Sequence, residues 1–351
     1  MNWNRLSDIW KKVDGVILTS PHALRYFTGF CGGEGVALIT SQRRCLLVDS
    51  RYTVAALQEA KDFEVIEFSA GQRDLLLKER TDKMRLIGYE DHFLTVAEFQ
   101  HLKESCPNIQ EWVGLSQALE QLRMVKTQEE LRCLRMAEQI AVNAFQAVLM
   151  QIKAGVCEIE IAAELEYQMR KRGSEGTAFE TIVVSGANSS MPHGKPSEKK
   201  LAVGDFVTMD FGCVYQGYCS DMTRTVAIGS VTEEQRRIYE TVKNAQQSGL
   251  NAIRAGVCAK EADAAARRVI DAAGYGKYFG HSLGHGVGLL IHELPNLSPK
   301  SETVLQPGMI VTCEPGIYIP DIGGVRIEDM VCVTEDGMEN FTQLSKELLI
   351  L

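Results

Sequence analysis

The chain has 351 residues, 45% of them hydrophobic and 24% charged, with a formal net charge of −9. This is ordinary composition for a soluble globular protein, and the length exceeds what one core normally serves, so two domains are expected. The negative balance offers no basic face for bulk nucleic-acid binding, and no apolar run approaches the roughly 20 residues of a membrane span.

The opening MNWNRLSDIWKK has no apolar h-region, which argues against a secretory signal. Ten cysteines are scattered along the chain without a CxxC pair, the usage of reduced thiols in a cytoplasmic protein. β-prone runs at 16–19, 35–40, 44–48 and 63–68 and a strand end at 86–88 alternate with helix-prone stretches at 52–61 and 95–104. That is the pattern of a mixed α/β layer domain. Pro21 opens a helical turn closed by the Gly-rich FCGGEG, whose glycines lack the spacing of a dinucleotide loop. With no acid cluster, the region reads as scaffold, wall or partner surface, and His22, His92 and His101 read as surface or half-buried side chains.

The texture changes at 121–126, placing the domains at 1–122 and 123–351. Thr127 followed by Glu130 forms a capping-box pattern ahead of a periodic helix reaching Ile152. A second helix over 158–172 closes at Gly173. A strand at 181–184 then leads into SGANSSMPHGKPS, a polar loop carrying His193. Helices follow at 233–255 and 259–273, then a strand-like run at 289–291, and the end of the chain alternates turn and strand. This second domain is expected to be α+β.

Two phrases in it match. LAVGDFVTMDFG (Leu201–Gly212) and LQPGMIVTCEPG (Leu305–Gly316) align at an offset of 104, pairing Thr208 with Thr312 and Asp210 with Glu314. Upstream, IKAGVCEIE (Ile152–Glu160) answers IRAGVCAKE (Ile253–Glu261) at an offset of 101. Nearly equal offsets in the same order indicate a duplicated half-domain. Related by a pseudo-twofold, the halves would bring Asp210 and Glu314 to opposite walls of one cavity, where facing acids repel unless a cation neutralises them. Asp221 and Glu328 follow across hairpin-like stretches, and HSLGHGVGLLIHE places His281, His285 and His292 between.

Asp210, Asp221, His285, Glu314 and Glu328 form a mixed N/O set suited to two divalent ions, with Mn²⁺ favoured over Co²⁺, Zn²⁺ or Fe²⁺. Such a pair acidifies a shared water and clamps a developing oxyanion, which is hydrolytic chemistry. His193 and His292 could donate to the oxyanion or carry a proton to the leaving amine. Arg326 and Arg224 each stand near a ligand and could pair with its carboxylate or with a substrate carboxylate. A thiol nucleophile at Cys213, Cys219 or Cys313 is the competing reading.

GHSLGHGVGLLIHE, TMDFGCVYQGYCSDMTRT, CEPGIY and GGVRIED together resemble the methionine aminopeptidase, Xaa-Pro aminopeptidase and prolidase group of metallopeptidases. YFTGF and DSRY resemble the N-terminal domain of its Xaa-Pro members. The resemblance implies a pita-bread catalytic domain behind a smaller ribonuclease H-like, creatinase-type domain. It implies Asp210 as a bidentate ligand, Asp221 and Glu328 as bridges, and His285 and Glu314 completing the second site. It also implies His193 and His292 as catalytic histidines, His281 as an active-site histidine that helps shape the proline pocket, and Arg326 as the active-site arginine two residues before the last ligand. The implied substrate is a peptide with proline second, cleaved by an aminopeptidase P or a prolidase, in a homodimer without nucleic-acid or membrane partners. A creatinase-like hydrolase or a binding protein on the same fold is disfavoured because no ligand position is missing.

Overall fold

Residues 2–351 are described by a computed structural model, in which the chain divides between Leu122 and Arg123. The first unit is built on strands β1 (Gly15–Leu18), β2 (Val36–Thr40), β3 (Arg44–Asp49), β4 (Glu64–Phe68), β5 (Leu86–Tyr89) and β6 (Glu111–Gly114). They form one sheet in the order β4-β3-β2-β1-β5-β6, antiparallel among β1–β3 and parallel at both flanks. Continuous apolar runs such as VIL and CLLV make the middle strands, because helices require both faces of the sheet to be buried. Those helices are α1 (Pro21–Thr28), α2 (Thr53–Glu59), α3 (Arg73–Thr81), α4 (Val96–Ser105) and α5 (Ser116–Met124). Local chemistry sets their ends: Ser20 accepts the Ala23 N–H ahead of α1, and Thr95 with Glu98 forms a capping box for α4. Each such cap is worth about 1 kcal/mol.

The second unit consists of two halves of like construction. In the first, α6 (Gln128–Val148) and α7 (Glu158–Lys171) precede β7 (Gly176–Thr177), β8 (Ile182–Ser185), β9 (Phe206–Phe211), β10 (Cys213–Tyr215), β11 (Tyr218–Cys219) and β12 (Met222–Ala227). In the second, α8 (Glu233–Ala252) and α9 (Ala259–Ala272) precede β13 (Gly284–Gly286), β14 (Glu293–Leu297), β15 (Ile310–Cys313), β16 (Gly316–Ile319), β17 (Gly323–Arg326), β18 (Asp329–Val333) and β19 (Met338–Asn340). The sheet order β12-β9-β8 reappears as β18-β15-β13. The lone bridge Cys157–Lys200 reappears as Cys258–Val304. Each half packs its helices on its own sheet, around Phe145, Val207 and Phe211 in one and Val242, Ile270 and Val311 in the other.

The seam between the halves is hydrogen-bonded backbone and threonine. Thr223 bridges Glu328, Thr208 Oγ1 donates to Gly324 O at 3.2 Å, and Thr225 Oγ1 donates to Arg326 O at 3.0 Å. Both Asp210 and Thr223 lie on this seam, opposite one another in the β9–β12 ladder.

Three sequence expectations shift. α6 ends at Val148 rather than Ile152 and α8 at Ala252 rather than Ala255. In each case the chain must still turn through a glycine with positive φ, Gly155 at 92° and Gly256 at 80°. The apolar run 289–291 is not a strand: residues 288–292 are bends, and pairing resumes only at Glu293.

Candidate metal centre

One cavity of about 900 Å³ in the second unit is lined by Asp210, Asp221, His285, Glu314 and Glu328, together with His193, His281, His292 and Arg326. The five candidate ligands and the four residues assigned to the reaction therefore reach a single wall system. Asp210 comes from β9, Asp221 from the residue before β12, Glu314 from just after β15, and Glu328 from the step between β17 and β18. His285 is the middle residue of β13. Its flanking residues must be glycine, because a Cβ at Gly284 would overlap the Thr312 carbonyl and one at Gly286 the Leu294 carbonyl.

His285 Nε2 lies 3.4 Å from Asp221 Oδ2 and 3.3 Å from Glu314 Oε1. Asp221, His285 and Glu328 each offer a ligand atom within 4.8 Å of the others. His285 Nδ1 is 3.1 Å from Gly286 O; donation to that carbonyl leaves Nε2 as a lone pair aimed at the acids. Burial holds this imidazole at a pKa of about 4, so it is neutral and able to ligate.

The acids show the opposite strain. Burial, then the charges of Glu328, Asp210 and Glu314, push Asp221 well above the usual carboxylate range. Burial likewise raises Glu328, with Glu314 and Asp210 adding to it. Glu314 is pushed up to about 8 by burial, although Arg326 opposes the rise. Asp210 Oδ1 is buried with no hydrogen-bond partner. Buried carboxylates raised by one another, an unpaired carboxylate oxygen and a neutral imidazole fit divalent cations of mixed N/O preference. Cations remove the repulsion and satisfy the orphan.

Several polar residues hold this set without having been singled out. Thr223 Oγ1 donates to Glu328 Oε2 at 2.6 Å and accepts from Arg326 Nε at 3.1 Å. Thr312 Oγ1 donates to Glu314 Oε1 at 3.2 Å and accepts the His285 N–H at 3.1 Å. Glu138 on α6 accepts the Asp221 N–H at 3.3 Å. Thr312 stands two residues from the Glu314 that it serves, a spacing that could have revealed it, whereas Thr223 serves Glu328 across 105 residues of chain. Glu138 had no local signal.

Arg326 Nη2 donates to Asp210 Oδ2 at 2.6 Å and Nη1 to Tyr318 Oη at 2.9 Å. Tyr318 Oη also lies 3.0 Å from His281 Nε2, so a fixed chain runs His281–Tyr318–Arg326–Asp210. Burial drives His281 down to about 4, with Arg326 adding to the effect. The His292 ring stands 4.4 Å from that of His285, centroid to centroid, and is exposed to the cavity. His193 follows the 3₁₀ turn 186–190 on the facing loop.

Arg224 does not face the cavity. It is buried beneath it, donating to Glu328 O at 2.6 Å and to Asp329 Oδ1 at 2.8 Å. The thiols are inert: burial raises Cys213 and Cys219 to about 12 and Cys313 well above the usual thiol range, and none of the three lines the cavity.

Known proteins align with this arrangement. The profile described as metallopeptidase family M24 matches residues 132–335, and that of the creatinase/prolidase N-terminal domain matches residues 10–125. An Xaa-Pro dipeptidase of Pyrococcus furiosus is 40% identical over 96% of this chain and 95% of its own length. Among solved structures, an Xaa-Pro dipeptidase from Bacillus anthracis is 44% identical with a TM-score of 0.96, covering 100% of this chain and 99% of its own. An X-Pro aminopeptidase from Thermotoga maritima is 38% identical with a TM-score of 0.93, covering 99% of this chain and 100% of its own.

Proposed function

The chain belongs to metallopeptidase family M24, and from that premise we propose that it hydrolyses the Xaa-Pro bond at the free N-terminus of dipeptides or short peptides. The observation that carries the reading is the convergence of four acids, three of them raised by burial and one another's charge, and a neutral imidazole on one cavity wall. Asp210, Asp221, His285, Glu314 and Glu328 would hold two divalent cations, with Mn²⁺ favoured and Co²⁺, Zn²⁺ or Fe²⁺ as alternatives. When bound, such a pair supplies Lewis acidity and acidifies water.

The remaining steps belong to the chain's own side chains. His292, exposed beside His285, and His193 on the facing loop donate to the carbonyl oxygen as it becomes an oxyanion. They also deliver the proton that the departing proline nitrogen must gain. The chain His281–Tyr318–Arg326–Asp210 is hydrogen-bonded at every link, and it shapes the wall that meets the proline ring. Proline has no N–H and a fixed φ, so a cleft that grips an extended backbone serves it poorly. A site that holds the free amine and the first carbonyl asks nothing of that missing hydrogen.

The reading includes a homodimer in the cytoplasm. Its cytoplasmic part is supported by ten free cysteines, seven of them buried; no described helix is long and apolar enough to cross a membrane. The test is metal-depleted protein resupplied with Mn²⁺, Co²⁺ or Zn²⁺ and assayed on an Xaa-Pro dipeptide and an Xaa-Pro-Xaa tripeptide. Activity restored by none of the ions ends the proposal. Asp221→Asn should abolish turnover with the fold retained, and His292→Ala should keep metal while losing rate.

A further inference from the structure

His193 has the least support of its own among the residues assigned to the reaction. It is exposed, and its ring makes no hydrogen bond to any described residue. Its place is therefore set by the backbone on either side, the loop 185–197 that leaves β8. Both ends of that loop converge on one side chain. Glu158, the first residue of α7, is fully buried. Its Oε1 accepts the Ser185 N–H at 2.7 Å, the Ser185 hydroxyl at 2.8 Å and the Asn188 amide at 3.4 Å. Its Oε2 accepts the Ser197 hydroxyl at 2.6 Å and the Ser197 N–H at 3.2 Å. The middle of the loop rests elsewhere: the Gly324 N–H donates to Ser189 Oγ at 2.8 Å, and Arg326 Nη1 to Pro192 O at 3.4 Å.

From this convergence we propose that Glu158 is the positioning residue for His193, one carboxylate that closes the loop carrying it. The inference rests on the role given to His193 in the Xaa-Pro reading above. An ionised carboxylate accepts on both oxygens and donates on neither, so it takes N–H groups from both loop ends at once. Bonds to a charged acceptor are about twice as strong as neutral ones, and the first turn of α7 favours negative charge at this point. Ser185 Oγ also accepts from Lys199 Nζ at 2.7 Å, which directs the hydroxyl proton to Glu158. Glutamine would fit the same space, but its NH₂ must face the backbone N–H of Ser185 or of Ser197, and that end is released.

Glu158 hydrogen-bonds none of the five candidate ligands, so its loss should spare metal content and act on the reaction. His193 serves charge and protons that develop only in the transition state. Its displacement should therefore lower kcat and kcat/KM together, with KM little changed.

The experiment is a double-mutant cycle on Ala-Pro with Mn²⁺-loaded wild type, Glu158→Gln, His193→Ala and the double variant, with metal content measured in each. Glu158→Gln should lower kcat about ten- to hundredfold, the range for a roughly 1 Å misplacement of an acid–base group. In the His193→Ala background the same substitution should change kcat by less than about twofold, because its target is gone. A purely structural role would cost the same factor in both backgrounds, and that result overturns the proposal. So does wild-type turnover in Glu158→Gln beside an impaired His193→Ala. If Glu158→Gln fails to fold, Ser197→Ala runs the same cycle, since it removes one hydroxyl donor and keeps the carboxylate; its loss should be smaller and again confined to the His193 background. Wild-type turnover in His193→Ala, or a wild type inactive on Ala-Pro, overturns the reading of the site itself and this proposal with it.

Discussion

Arg224→Met should destabilise the catalytic unit and loosen the metal centre together. The Arg224 side chain is 3% exposed and that of Asp329 is fully buried. Besides Asp329, the guanidinium serves the carbonyls of Thr223, Glu328, Leu344 and Ser345. Breaking a buried, hydrogen-bonded ion pair from one side costs about 3–5 kcal/mol, because the partner charge stays in the interior. Asp329 keeps Gln246, Asn340 and Lys346 at 2.9, 2.8 and 3.1 Å, which places the loss at the lower end, about 3 kcal/mol. For a unit of this size that is a fall in Tm of roughly 6–12 °C, read by scanning calorimetry.

The Glu328 carbonyl loses its donor in the same variant, so metal content measured after dialysis against a weak chelator should fall as well. The double variant Arg224→Met/Asp329→Asn should be less destabilised than the sum of the single ones, by about 1 kcal/mol or more. A single-variant loss below about 1 kcal/mol, or strict additivity, would refute the claim that this pair underpins the ligand strand.

Two further outcomes follow from charge. In metal-free protein the raised carboxyl of Glu314, at about 8, binds its proton more tightly folded than unfolded. Stability should therefore fall as pH rises from about 5 to 8, and saturating Mn²⁺ should flatten that slope; a rising or level curve without metal contradicts the assignment. Glu293 behaves oppositely. Burial alone would raise it, but Lys126 at 2.8 Å and Arg123 at 3.1 Å outweigh burial and hold it low. Its contribution is complete above the ordinary carboxylate range and lost as acid protonates it, so Glu293→Gln should unfold with a shallower dependence on pH between about 5 and 3. Identical acid limbs for wild type and variant would show that the triad contributes nothing.

The architecture was legible wherever identity was repeated. The AGVC echo at an offset of 101 leads directly into α7 and α9, whose bounds differ by that same number, Glu158–Lys171 and Ala259–Ala272. Acids and histidines stood out by type and spacing, and the structure gathers them in one cavity. What stayed hidden was the support. Glu138 and Tyr318 meet their partners across 83 and 37 residues of chain, and Arg224, expected at a ligating or substrate carboxylate, instead meets the Glu328 carbonyl across 104; no local pattern reports such a meeting. The run Leu289-Leu290-Ile291 resembled a strand because hydrophobicity alone does not register a bend. There Gly288 is pressed against the Glu293 carboxylate and leaves no room for a Cβ.

The connection between the halves, Gly229-Ser230 between β12 and α8, is exposed, with Gly229 at a φ of 69°. A protein nicked at Ser230 would carry Asp210 and Asp221 on one fragment and His285, Glu314 and Glu328 on the other. On the proposed ligand set neither fragment would own a complete coordination sphere, so a cation would act as glue between them. Reassociation should then sharpen with added Mn²⁺, turning the duplicated domain into a split reporter whose signal is its own returning catalysis.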